Sequence, residues 1–176
     1  DMAISSTRPQ ALPPLRRVLI VGGGGREQAL AWALSRNQDI TTVWIAPGNG
    51  GPEGQAIDLA ETDSEALVAF CRQENVDLVV VGPEAPLAAG VADALRSADI
   101  AVFGPDAAGA QLEASKAWAK QLMQDAGVPT AGHWSVHSED EALAVLHKVK
   151  RPLVVKADGL AAGKGVTVAE TVAEAE

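Results

Sequence analysis

Val18-Leu19-Ile20-Val21-Gly22-Gly23-Gly24-Gly25-Arg26-Glu27 reads as a strand that runs through a glycine turn into a helix. Val18–Val21 is apolar at every position, the pattern of a strand covered on both faces. From Arg26 to Ser35 the apolar spacing turns helical. The same unit recurs. Val43–Ala46 is stopped by Pro47-Gly48, Val76–Val81 by Gly82-Pro83, and Ile100–Phe103 by Gly104-Pro105. Between these runs, Thr62 and Glu65 have the spacing of a capping box that opens a helix to about Glu74, and Ala88–Ser97 is helical. Apolar strands alternating with helices predict an α/β, doubly wound parallel sheet, Rossmann-like, over residues 17–105. Ligands of such sheets sit at the carboxyl ends of the strands. The turns Gly22–Glu27, Pro47–Gly51 and Gly82–Leu87 are therefore where chemistry is expected.

After Pro105 the pattern changes. Asp106–Gln124 reads as one long amphipathic helix, followed by a short strand at about His133–Val136. Ser138 and Glu141 have capping-box spacing and open a helix to about Val149. Leu153–Ala157 and Val166–Ala169 are strands joined by the short turn Asp158–Lys164, hence an antiparallel hairpin. A helix starts at Thr171. Residues 106–176 thus form a linker helix and the start of an α+β domain. They hold too few elements to close a core in two layers, so a longer natural protein is expected. Residues 1–16, with Pro9, Pro13 and Pro14, read as a leader outside both domains.

Charge and composition narrow the partners. The net charge is −9, so the chain gains little from counterion release and no nucleic-acid partner is expected. With two Phe and no Tyr, no aromatic platform for bases is expected either; Trp32, Trp44, Trp118 and Trp134 read as core or domain-contact residues. The single cysteine, Cys71, allows no intrachain disulfide and reads as a small buried hydrophobe. No apolar run approaches a bilayer span, so no membrane partner is expected. The expected location is cytoplasmic, with Ser, Thr and Arg in the leader leaving organelle targeting open.

The first glycine turn lacks the dinucleotide fingerprint. Gly22 and Gly24 would call for a third glycine where Glu27 stands, and the second strand ends in Ala46-Pro47-Gly48 without an acidic residue for a ribose. Arg26 in the first helical turn opposes the helix dipole, which makes sense if helix-start amides and guanidinium share a phosphate. The second turn, Lys156-Ala157-Asp158-Gly159-Leu160-Ala161-Ala162-Gly163-Lys164-Gly165, fails the Walker spacing and has Gly165 where a magnesium-binding hydroxyl is required. It reads instead as a flap of small residues. Lys156 lies on a strand that should have one buried face, so its ammonium calls for an anion.

These segments, with Ala46-Pro47-Gly48-Asn49-Gly50-Gly51, Gly82-Pro83-Glu84-Ala85-Pro86-Leu87, Phe103-Gly104-Pro105 and Gln111–Lys116, resemble the phosphoribosylamine–glycine ligase family of ATP-grasp enzymes, in order and spacing, from about Arg17 to Glu176. The family usually has Asn and His where Gly23 and Gln28 stand. The resemblance implies ligation of glycine to 5-phosphoribosylamine through a glycyl phosphate, with ATP and Mg2+ or Mn2+, in purine biosynthesis, by a monomer. It implies that Lys116 and Lys156 contact ATP phosphates, with Asp158, Gly159, Leu160, Ala161, Ala162, Gly163, Lys164 and Gly165 as the lid. Gly24, Gly25, Arg26, Glu27, Gly48, Asn49 and Glu84 would line the phosphoribosylamine pocket. The family's metal ligands would lie past position 176, so no metal ligand is expected within this chain and the chain alone is expected to be inactive. Another ATP-grasp enzyme of purine synthesis, or a non-catalytic nucleotide-binding fragment, stays open as an alternative.

Overall fold

A computed structural model describes residues 14–161 and 163–176. Five parallel strands form one sheet in the order β3-β2-β1-β4-β5: β1 (Arg17–Gly22), β2 (Thr42–Pro47), β3 (Gln55–Ala56), β4 (Leu78–Val81) and β5 (Val102–Phe103). Val18 to Val21 are wholly buried. The reason is that both sheet faces are covered. Leu19, Val21, Trp44, Ala46, Val79 and Val81 point to one face, against α2 (Ser64–Gln73), α4 (Val91–Ser97) and α5 (Ala107–Ala114). Val18, Ile20, Val43, Ile45 and Val80 point to the other, against Ala31, Leu30 and Leu34 of α1 (Gly25–Leu34). A one-residue slip of β1 would exchange these sets, so its pairing with β2 and β4 is fixed. Asp77 sets the entry to the sheet: its carboxylate accepts from the N–H groups of Arg16 and Arg17, both at 2.8 Å.

The parallel α/β sheet is as expected, but its edge strand β3 is not, and several element bounds differ. α2 is capped by Asp63, not Thr62, the Asp63 carboxylate accepting from the Ala66 N–H at 3.0 Å. The third apolar run pairs only from Leu78. The helix expected over Ala88–Ser97 is two: α3 (Glu84–Ala88) and α4, separated by Gly90 at φ 84°. The long helix expected over Asp106–Gln124 is also two, α5 and α6 (Lys116–Asp125), because Ser115 takes an extended conformation and caps α6 through the Trp118 N–H. His133–Val136 is not a strand; no partner strand lies beside it among the described residues. Trp44 is a core residue, edge-to-face with Phe70 at 5.4 Å, whereas Trp32, Trp118 and Trp134 are 39–47% exposed.

The rest of the chain is thinly packed. α7 (Glu139–Val149), the antiparallel pair β6 (Val154–Lys156) and β7 (Val166–Val168), and α8 (Val172–Ala175) complete it. Only Ala119, Leu146 and Ala169 are buried among its described apolar residues, and Val154, Val155, Val166 and Val168 are exposed. No described helix is long and apolar enough to cross a membrane.

Leu19→Ala should lower unfolding free energy by about 2–5 kcal/mol in chemical denaturation, because a wholly buried side chain at the sheet centre leaves a cavity. Cys71 is buried and burial pushes its thiol up to about 11. It should resist a neutral-pH thiol reagent until the protein unfolds; rapid labelling of the native chain would contradict this packing.

Candidate functional site

The sheet order places the carboxyl ends of β1 and β4 side by side, with the chain leaving them toward opposite edges. Three turns meet on that rim. Arg26, in the first turn of α1, donates from Nη1 to the Gly82 carbonyl at 2.6 Å and lies 3.5 Å from Glu84 Oε1. Both side chains are open to solvent, so this ion pair orients the guanidinium and adds little stability. Asn49 bridges the next turn: its Nδ2 donates to the Gly24 carbonyl at 3.1 Å, and its Oδ1 accepts from the Gly51 N–H at 3.0 Å. Gln28 holds the same turn from α1 by donating to the Glu53 carbonyl at 3.1 Å. Gly48 has φ 79°, and Gly23 comes so close to its carbonyl that a side chain at 23 would press on it.

A cavity of about 650 Å³ opens beside these turns, lined by Gly25, Gln28, Trp32, Asn49, Gly50 and Glu53 among others. Trp32 forms one wall, and the Arg36 guanidinium lies over its ring at 4.0 Å. Gln28 and Trp32 were not among the expected site residues. Their helical spacing from Gly24 was a usable signal, since positions 25, 28, 29 and 32 share a face of α1. A second cavity, about 370 Å³, sets Glu84 and Glu113 around Leu87, Pro105 and Leu112. Glu27 does not reach either mouth. It is 3% exposed and lies under the first turn.

The other expected residues gather at the hairpin. Asp158 leaves β6 and reaches the start of α6. Its carboxylate accepts from the Lys116 N–H at 2.6 Å, the Ala117 N–H at 3.2 Å and the Ser115 hydroxyl at 3.0 Å. Lys116 answers by donating from Nζ to the Gly159 carbonyl at 2.8 Å. The turn closes on itself through Lys164 N–H to the Ala161 carbonyl and Ala157 N–H to the Gly165 carbonyl. Gly159 and Gly163 both have positive φ, 86° and 78°. Leu160 is half exposed. Ala162 lies outside the described residues. Lys156 departs from expectation: every residue of β6 is exposed, no layer being packed over the two-stranded sheet among the described residues, so within them no desolvation cost forces an anion onto its ammonium. Ser115 was also missed; a serine three residues before an N–H it can cap was the signal.

The Ala117 N–H above all, with the Ser115 hydroxyl and the Lys116 and Gly159 N–H groups, holds the Asp158 carboxyl below the usual carboxylate range. The lowered value means that ionised Asp158 favours the folded arrangement. That contribution is whole above the ordinary carboxylate range and is lost as pH falls through the folded value.

Residues 16–113 match the family described as Phosphoribosylglycinamide synthetase, N domain, and residues 114–176 match Phosphoribosylglycinamide synthetase, ATP-grasp (A) domain. Phosphoribosylamine–glycine ligase of Ralstonia nicotianae is 50% identical over 161 residues, covering 90% of this chain and 38% of the relative. That of Vibrio cholerae is 48% identical over 164 residues, covering 91% and 38%. The chain thus spans 38% of the length of these curated relatives. The solved structure of phosphoribosylamine–glycine ligase from Thermotoga maritima superposes with a TM-score of 0.70 at 31% identity, over 90% of this chain and 37% of that one. A biotin carboxylase domain from Hydrogenobacter thermophilus has the same TM-score at 18% identity, over 93% and 39%, a likeness of fold alone.

Asp158→Ala should speed hydrogen exchange at the Lys116 and Ala117 amides while exchange in β1 stays unchanged, measured at neutral pH. The same two amides should lose protection in the wild type as pH drops below the carboxylate range. Equal acceleration throughout the sheet would instead mean general destabilisation.

Proposed function

The chain belongs to the phosphoribosylglycinamide synthetase family, and from that premise we propose that it carries the phosphoribosylamine-binding rim and the nucleotide lid of a ligase. The reaction joins glycine to 5-phosphoribosylamine. A glycine carboxylate oxygen attacks the terminal phosphoryl group of ATP, giving glycyl phosphate and ADP. The amine nitrogen of phosphoribosylamine then attacks the acyl carbon and expels phosphate. Turnover is proposed for a polypeptide of the relatives' full length; the 176-residue chain alone is expected to bind without turning over.

One observation carries this reading most directly. Arg26 stands open to solvent at the carboxyl ends of β1 and β4, oriented by Gly82 and beside helix-start amides that favour an anion. A guanidinium and backbone N–H groups converging there suit a sugar phosphate. The cavity toward Asn49 leaves room for the ribose, and Glu84, next to Arg26, is suited to its hydroxyls or to the amine.

The Asp158–Gly165 turn suits triphosphate. Lys116 already lies against the Gly159 carbonyl, so an ammonium and the lid backbone approach the same space. Cations there would neutralise phosphoryl oxygens, and a closed lid would keep water from the acyl phosphate. Lys156, exposed on β6 at the base of the lid, would supply a second cation. Mg2+ bound with ATP would supply further neutralisation of negative charge as the phosphoryl group transfers. Among the described residues no three His, Cys, Asp or Glu side chains are grouped to hold it.

The test is phosphate release by the full-length protein with ATP, glycine and phosphoribosylamine, each varied in turn. Arg26→Ala should raise KM for phosphoribosylamine about 10–100-fold, the loss of a charge-assisted hydrogen bond, and leave KM for ATP nearly unchanged. Lys156→Ala should do the reverse. Equal effects of either substitution on both substrates would overturn the assignment, and a requirement for an acid other than glycine would overturn the reaction.

A further inference from the structure

The crevice between β1 and β4 is the point of a doubly wound sheet that usually admits a ligand. Here the protein fills it with a side chain of its own. Glu27 Oε2 accepts from the Gly24 N–H at 2.6 Å, one half of a capping box whose other half glycine cannot supply. Gly22, the last residue of β1, and Gly82, just past β4, make room for it. A methyl on Gly82 would overlap the Glu27 carboxylate, and one on Gly22 would come within 2.6 Å of its Cγ. At Gly82 the demand is for space alone. Burying a carboxylate has a desolvation cost, so its place here must be offset by what it holds.

What it holds is the first glycine turn. The Gly24 N–H is taken by Glu27, and its carbonyl accepts from Asn49 Nδ2 at 3.1 Å and from the Gln28 N–H at 3.2 Å. Gly24 therefore has no backbone group left for a ligand. The next N–H groups, of Gly25 and Arg26, begin α1 and have no intrahelical acceptor. Arg26 and Glu27, adjacent in sequence, grip the same partner from two sides: the guanidinium takes the Gly82 carbonyl, and the carboxylate packs on the Gly82 backbone.

Resting on the function proposed above, we infer that Glu27 is a positioning residue. It fills the β1–β4 crevice and removes Gly24 from anion binding. It thereby places the phosphate of phosphoribosylamine outward, on the Gly25 and Arg26 amides beside the Asn49 cavity. Its role is as a hydrogen-bond acceptor in a fixed seat, with no proton passing to substrate. This also accounts for the missing dinucleotide fingerprint, since a pyrophosphate would need the space the carboxylate takes.

Full-length protein carrying E27A or E27Q distinguishes the possibilities by steady-state kinetics and by hydrogen exchange of the peptide holding Gly22–Arg26. E27A should raise KM for phosphoribosylamine about tenfold or more and leave KM for ATP within about twofold, with faster exchange in that peptide. E27Q keeps an acceptor oxygen in the same seat and should recover most of the loss in both readouts. If E27A does not fold, G82A applies the same disturbance from the opposite side, since its methyl displaces the carboxylate and leaves α1 unaltered. Unchanged exchange and unchanged KM in E27A would overturn the inference, as would an equal loss of kcat in E27A and E27Q with KM for phosphoribosylamine unchanged, which would make Glu27 a proton carrier. Failure of the wild type to use phosphoribosylamine and glycine would remove the proposed function, while the exchange data would still decide whether Glu27 holds the turn.

Discussion

A parallel strand covered on both faces offers no position along its length for a polar side chain. In this protein β1 meets that condition in full, from Val18 to Val21. Polar groups are consequently confined to the ends of the sheet. At the amino ends Asp77 ties the first strand to β4. At the carboxyl ends the chain must turn at once, and the turns together bring glycine, proline and the few charged groups the core has excluded. The candidate site follows from this exclusion. Arg26, Asn49 and Glu84 belong to different turns, yet the sheet register brings them to one rim.

The strands were legible because an apolar run in this context has one physical solution. Chain breaks were harder where a distant partner makes them. The helix pattern runs unbroken through Ser115, and what interrupts it is tied to Asp158, 42 positions past Lys116. Glu84 begins a helix that Pro86 concealed, although proline is tolerated in a first turn. β3 is a two-residue, exposed edge with no apolar signal to read. His133–Val136 has residues that suit a strand but no strand beside it among the described residues.

The site residues divide along the same line. That Arg26 faces outward could be read from its place beside four glycines. That Glu27 faces inward could not, because its burial depends on Gly82, which arrives from another strand. Lys156 shows the converse. An apolar run around it suggests a buried face, but the face exists only where a layer covers it, and β6 is exposed throughout. Local sequence thus reports which groups are charged and how the backbone turns. Which of them are desolvated is settled by neighbours far along the chain.

Lys116 and Asp158 exchange bonds crosswise: each side chain takes a main-chain group from the other's segment. The two contacts and the peptide links between them make a small closed circuit. Opening one contact strands the partner of the other, so the circuit tends to yield as a whole. Any force that pulls the flap away from the helix start is thereby transmitted to the lysine ammonium, and the flap's travel and the lysine's aim become a single mechanical variable.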